Sequence, residues 1–350
     1  MPLPSGIYNT TYKKDMAIFR TWDHWAWLIG FLAAMCLLPL FASRAQLNIL
    51  IVICSTVIAV HGLNILTGYC GQVSIGHSAF MAVGAYTSAA LCNELGFSFW
   101  LAMPLGGLAA GVVGLIFGAP SLRIKGFYLA ITTLGAQFII IYVIMHLPSI
   151  TGGVRSLDVP PPKFFGFEFD REQSYYYLAL AMVVLVTYFV KNLVRTGVGR
   201  AWVAVRDNDL AAEGMGISLF YYKLLAFFIG CFLAGIAGSM YAHYLQTISI
   251  EYFSLMDSIW FLGMLIVGGG GSVMGAIFGV VFIMVLREAI VKVAPIITTA
   301  VPALGVEFGA AMGLFIMGLV IMLFLVYEPR GLAHRWEVIK TKFRLYPFPY

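Results

Sequence analysis

The stretch Gly62-Leu63-Asn64-Ile65-Leu66-Thr67-Gly68-Tyr69-Cys70-Gly71-Gln72-Val73-Ser74-Ile75-Gly76-His77-Ser78-Ala79-Phe80 decides how this chain must fold. It joins two apolar runs and sets Asn64, Thr67, Gln72, Ser74, His77 and Ser78 among Gly62, Gly68, Gly71 and Gly76. Lipid offers backbone groups no hydrogen-bond partner, so an interrupted spanning segment survives only inside protein or beside a polar cavity. Glycine opens the backbone there, and freed amides and carbonyls can then replace the hydration shell of a zwitterion. The six polar residues are therefore candidates to line a translocation path. The same residue types also bind helices to one another in membrane bundles, and the residues alone leave both roles open.

The surrounding chain sets that stretch in a membrane. Of 350 residues, 61% are hydrophobic and 11% charged. A soluble domain carries roughly 25% charged residues, so this charge is too sparse to coat a globule. The apolar residues fall in runs of about twenty, enough to cross ~30 Å of hydrocarbon as a helix. Ten such segments occur, at 26–43, 47–66, 74–93, 98–118, 127–147, 174–191, 222–244, 256–269, 272–291 and 309–327. The expected fold is all-α and polytopic, with about ten transmembrane helices and no period-two alternation of strands.

Lysine and arginine set the orientation. With the N-terminus in the cytoplasm, only Arg44, Arg155, Lys163, Arg171, Arg287 and Lys292 of the 21 basic residues lie outside, among acids such as Asp158, Glu168, Asp170 and Glu172. The other fifteen lie inside, ending with Arg330, Arg335, Lys340, Lys342 and Arg344. Both termini are expected in the cytoplasm. Residues 1–25 form an N-terminal segment without the apolar core of a cleavable signal. Residues 26–327 form the transmembrane domain, and 328–350 a cytoplasmic tail. Trp22, Trp25 and Trp27 suit interfacial anchoring.

Several function classes drop out. The net charge of +5 is spread over loops between spans and does not indicate nucleic acid. Cys36, Cys54, Cys70, Cys92 and Cys231 lie in apolar runs without ligand spacing, so neither a metal nor a disulfide is expected. There is no phosphate-binding loop, nucleophile elbow or metal-binding histidine helix, so no catalytic residue and no cofactor are assigned. An ion-coupled carrier would need carboxylates near the bilayer midplane. Glu94, Asp257 and Glu288 are placed instead near interfaces.

Two loops are long. The outer loop 148–173 carries Thr151-Gly152-Gly153 and Pro160-Pro161-Pro162, the latter favouring an extended path. The inner loop 192–221 reads as one short helix that Gly214 and Gly216 end. A helix with apolar residues and both charge signs can dock in a groove of a soluble partner. Arg200 and Arg206 would supply charged contacts, and Ala211 and Ala212 close approach. A weak internal echo also exists: Gly71–Gly76 and Gly270–Gly275 share glycine spacing after an apolar run, as paired breaks in transporter repeats do.

The opening stretch resembles the signature of the LivH/LivM permease family. The resemblance continues at Arg123-Ile124-Lys125-Gly126-Phe127-Tyr128-Leu129-Ala130, Gly199–Arg206, Ala211–Ile217, Tyr222–Phe227, Ala234–Gly238, Gly268–Ser272 and Glu328–Leu332. It covers most of residues 45–335 in order, and the length looks more like the LivM branch. One departure is Ser156 before Leu157 in the outer loop. The resemblance implies a permease subunit, not an enzyme, of an ATP-driven importer for branched-chain amino acids in a bacterial inner membrane. It implies a LivH-like permease partner, two cytoplasmic ATP-binding subunits and a periplasmic substrate-binding protein. It makes loop 192–221 the coupling element between helices 6 and 7, carried by Arg200, Ala201, Arg206, Ala211, Ala212, Glu213 and Gly216. Urea or short amides are the alternative cargo, and an ion-coupled carrier the alternative class.

Overall fold

A computed structural model describes residues 22–121, 127–153, 155–164, 167–300 and 305–345. Lys13, Lys14, Arg20, Arg123, Lys125 and the tail from Tyr346 to Tyr350 lie outside them, as does most of the 1–25 segment. The fold is helical almost throughout. In chain order the helices are α1 (Trp22–Leu37), α2 (Arg44–Leu63), α3 (His77–Glu94), α4 (Phe99–Ser121), α5 (Phe127–Met145), the single turn α6 (Pro148–Thr151) and α7 (Glu172–Arg195). They continue with α8 (Gly197–Asp207), α9 (Asp209–Gly214), α10 (Leu219–Leu245), α11 (Leu255–Gly268), α12 (Val273–Ala300), α13 (Gly305–Tyr327) and α14 (Gly331–Leu345). The strands β1 (Leu157–Asp158), β2 (Lys163–Phe164), β3 (Phe167–Glu168) and β4 (Thr247–Ile248) are short. β1 pairs antiparallel with β4, and β2 with β3.

Each of the ten predicted segments is largely helical, but length and hydropathy qualify only seven helices among the described residues as membrane spans. An eighth forms if α13 and α14, bent by 50° at Glu328–Arg330, are taken as one broken span. The apolar helix at Trp25–Leu40 is shorter, and α3 is too polar to qualify, with His77, Ser78, Thr87, Ser88, Asn93 and Glu94. What the structure supports directly is an all-α, multi-pass membrane protein of seven to eight such helices.

Local chemistry starts and stops these helices. Ser43 and Gln46 form a reciprocal capping box at the head of α2, and Ser254 and Asp257 do the same for α11. α2 does not end cleanly: Asn64–Tyr69 loosens into a π-helical turn, an arrangement often found at functional sites. Residues 71–76 are then non-helical before α3 begins.

α10 runs through the centre, packed on α2, α3 and α4. Without a hydrophobic drive between helices in lipid, close backbone approach must hold them. Gly84, Gly106 and Gly235 supply it. A Cβ on Gly106 would lie 2.6 Å from the Gly84 carbonyl oxygen, and one on Gly235 would lie 2.7 Å from the Ala110 Cβ. Ser239 Oγ donates across the crossing to the Gly84 carbonyl at 3.0 Å.

The two ends of the bundle differ. At one end, Tyr244 reaches Asn48 Oδ1 at 2.6 Å, Asn93 holds the Asp158 carbonyl at 2.7 Å, and His243 Nδ1 lies 2.8 Å from the Pro160 carbonyl oxygen. The first of these ties α10 to α2, and the other two fasten the loop 148–173. At the other end lie α8, α9 and the start of α10. The predicted tail is largely helical: α14 packs against α11 and α12, and Glu328 pairs with Arg335.

Candidate functional site

The quoted stretch and its echo meet in space. Asn64 is fully buried in the π-helical turn; its Oδ1 accepts the Gly271 N–H at 2.8 Å and its Nδ2 donates to the Ser272 carbonyl at 2.9 Å. The break after α2 is thus bonded to the break between α11 and α12. A Cβ on Gly271, whose φ is +81°, would lie 3.1 Å from the Gly68 carbonyl oxygen, so the paired glycines are needed for the approach as well as for the turn. Thr67 Oγ1 donates to the Gln72 carbonyl at 3.1 Å and closes the loop locally.

From this junction residues 71–76 turn back into the bundle, so α3 starts deep inside it. His77 Nε2 lies 2.8 Å from the Ala59 carbonyl oxygen, nine residues or about 13 Å back along α2 from Gly68. Around that start, Ser78 Oγ donates to the Ser254 carbonyl at 3.0 Å, and the Ser78 N–H donates to Ser258 Oγ at 2.9 Å. Gln137 accepts the Ala79 N–H at 3.0 Å and donates to the Phe253 carbonyl at 2.9 Å. α3 and α11 therefore begin at one buried polar node, each running toward an opposite end.

The six candidate path residues divide accordingly. Asn64, Thr67 and Ser78 are committed to bonds within the chain. Gln72 Oε1, Ser74 Oγ and His77 Nδ1 are buried with no hydrogen-bond partner among the described residues. Each such atom costs about 1–3 kcal/mol, so the cluster is destabilising as it stands. Sequence reasoning missed Gln137 and Ser258, which look like isolated polar residues in apolar runs. It also missed Ser272, whose contribution is a carbonyl that no side-chain pattern reports.

Loop 192–221 departs from the single helix expected. α8 and α9 are separate, divided at Asn208, which adopts φ −157° and accepts the Ala211 N–H at 3.0 Å as an N-cap. An asparagine mid-loop competes for backbone donors and restarts the helix. Trp202 is fully buried and donates to the Tyr222 carbonyl at 2.9 Å; burying such a ring from water stabilises by about 2–3 kcal/mol. Ala201 and Ala212 are buried with it and pack inside this chain. Arg206 keeps about a third of its side chain, 36%, exposed but donates from Nη1 to the Gly68 carbonyl at 2.8 Å. Arg200, Ala211, Glu213 and Gly216 face outward. Beside them stand Leu210 and Met215, 70% and 84% exposed, which the candidate set omitted.

At the opposite end a cleft of about 200 Å³ opens between Asn48, Asp170, Arg171, Glu172, Tyr175 and Tyr244. It is bordered by the end of the outer loop. Among the described residues no cluster of three metal-ligating side chains occurs.

Comparison with known families then fixes the kinship. Residues 45–325 match the family described as the permease component of the branched-chain amino acid transport system. The chain belongs to this family. The match takes in both glycine breaks, α8 and α9. Among curated relatives, the high-affinity branched-chain amino acid transport system permease protein LivM of Salmonella typhimurium is 34% identical over 71% of this chain and 64% of its own length. The LivM protein of Escherichia coli is 33% identical over 75% and 67%, respectively. The probable LivM of Methanocaldococcus jannaschii is 29% identical over 68% and 69%. The chain spans about two thirds of the length of these LivM relatives. No solved structure matches it.

Proposed function

We propose that this chain is a transmembrane permease subunit of an ATP-driven importer and forms part of the path for branched-chain amino acids. The observation that carries this is the family match from residue 45 to 325, laid over two bonded glycine breaks that α8 touches through Arg206. In this reading all ten segments cross or enter the membrane, residues 26–327 form the transmembrane domain, and both termini lie in the cytoplasm of a bacterial cell, at its inner membrane. The basic residues support the orientation. Arg195, Arg200, Arg206, Lys223 and Arg330 sit at the end that carries α8 and α9, as the positive-inside bias requires.

The division of labour follows. A LivH-like chain pairs with this one, two ATP-binding subunits dock on α8 and α9, and an external binding protein delivers the solute to the opposite end. The unpartnered Gln72, Ser74 and His77 atoms support a path beside them, because a polar solute or water meeting them would relieve their desolvation cost. An ion-coupled carrier fits less well, because no Asp or Glu is buried among the described residues, and such carriers move protons or ions through buried acids.

Co-expression of this chain with the LivH-like and ATP-binding chains, followed by detergent purification through a tag on this one, checks the assembly. Recovery of a stable complex with ATPase activity that rises on adding leucine-loaded binding protein is expected. Purification of this chain alone, with no such stimulation, would contradict it.

A further inference from the structure

Arg206 is bound where a docking cation should be free. It ends α8, and its Nε and Nη2 donate to Asp207 Oδ1 at 3.0 and 2.9 Å, which fixes the plane of the guanidinium. Nη1 then donates to the Gly68 carbonyl at 2.8 Å. Gly68 lies in the last turn of a helix that stops at Tyr69, so its carbonyl is among those left without an intrahelical partner. A cation at a helix C-terminus also meets the negative end of the dipole. This cation comes from another element, 138 residues away in sequence.

The fit is tight on both sides. A Cβ on Gly71 would lie 2.8 Å from Arg206 Cγ, and one on Gly271 would lie 2.9 Å from Arg206 Nη1. Arg206 therefore occupies a notch walled by the glycines of both breaks, and Asn64 bonds those breaks to each other beside it. On its other face α8 is held to the head of α10 through Trp202.

We propose that Arg206 is a latch: through it, movement of the α8–α9 pair is passed to both glycine breaks at once. It is a positioning residue that acts on backbone and not on solute. Drawing α8 outward would pull the Gly68 carbonyl or release it, and either changes the turn from Asn64 to Gly76 that precedes the buried start of α3. The proposal rests on the coupling role assigned above to α8 and α9.

The test uses the full reconstituted complex with Arg206→Ala and Arg206→Lys. A lysine keeps the charge but loses the fork that Asp207 holds. Both variants are expected to keep ATP hydrolysis near the wild-type rate while leucine uptake falls about tenfold or more, with the lysine variant less affected. Amide hydrogen exchange over residues 64–76 supplies the second readout. In the wild type it should change between nucleotide-free and ATP-analogue-bound complex, and in both variants that change should vanish. A nucleotide-dependent change that persists in either variant, full uptake in Arg206→Lys, or failure of both variants to assemble would each overturn the latch. Absence of ATP-driven uptake in the wild-type complex would refute the proposed function instead.

Discussion

Gly235→Val should all but abolish folded protein in the membrane, whereas Gly135→Val should leave it unchanged. The contrast isolates backbone approach from any general effect of valine. A Cβ at Gly235 would meet the Ala110 Cβ at 2.7 Å, the Gly106 carbonyl oxygen at 2.9 Å and the Gly107 Cα at 2.9 Å. None of these can swing aside as the tip of a flexible side chain would. At Gly135 nothing lies within 4 Å. Overpacking a core costs about 1–3 kcal/mol where side chains can yield, and here α4 and α10 would have to separate. The yield of monodisperse protein in size-exclusion chromatography, measured for both variants at equal expression, decides it. A Gly235→Val protein recovered at wild-type yield would show that the three-helix crossing is looser than described.

The second large effect is expected at the surface of α9. Leu210→Asp with Met215→Asp should leave insertion and purification of this chain unchanged but strip the ATP-binding subunits from it. Both side chains are largely exposed, and surface substitutions away from structural features usually move stability by no more than about 0.5 kcal/mol. Putting an aspartate where an apolar anchor is buried at the centre of an interface removes the anchor and buries an unpaired charge, together about 2 kcal/mol or more at each position. Loss of both therefore weakens docking by a factor on the order of a thousand. Glu213→Ala, on the rim between them, should cost much less. Co-purification of the ATP-binding subunits reads the result directly. If the double variant retains them at wild-type stoichiometry, α9 is not the docking surface.

Much of the fold was legible in the residues. Composition and run length placed all ten segments on helices, and the Gly68–Gly76 glycines located the break between the second and the third. Other features were not. Length and hydropathy could not say that α3 starts deep in the bundle, because His77 and Ser78 look like an ordinary polar edge until Ala59 and Ser254 are brought beside them. Asn64 and Gly271 are 207 residues apart, so the bond between the two breaks is invisible to any local pattern, although the glycine echo hinted at it. The direction in which Arg206 points was likewise hidden. A basic residue in a loop between spans ordinarily faces water, and here one end of the guanidinium is drawn instead to the carbonyl of the buried Gly68. The same holds for Ala212, whose small side chain suggested an outer contact and instead packs inside.

The central claim is that nucleotide hydrolysis on neighbouring subunits drives solute through this chain. Leucine accumulation in proteoliposomes tests it most directly, with this chain, its permease partner and the external binding protein present, and with the ATP-binding subunits either included or left out. Accumulation against the gradient is expected only when those subunits and ATP are both present, and no ion gradient should replace them. Accumulation driven by a sodium or proton gradient without the ATP-binding subunits would contradict the account.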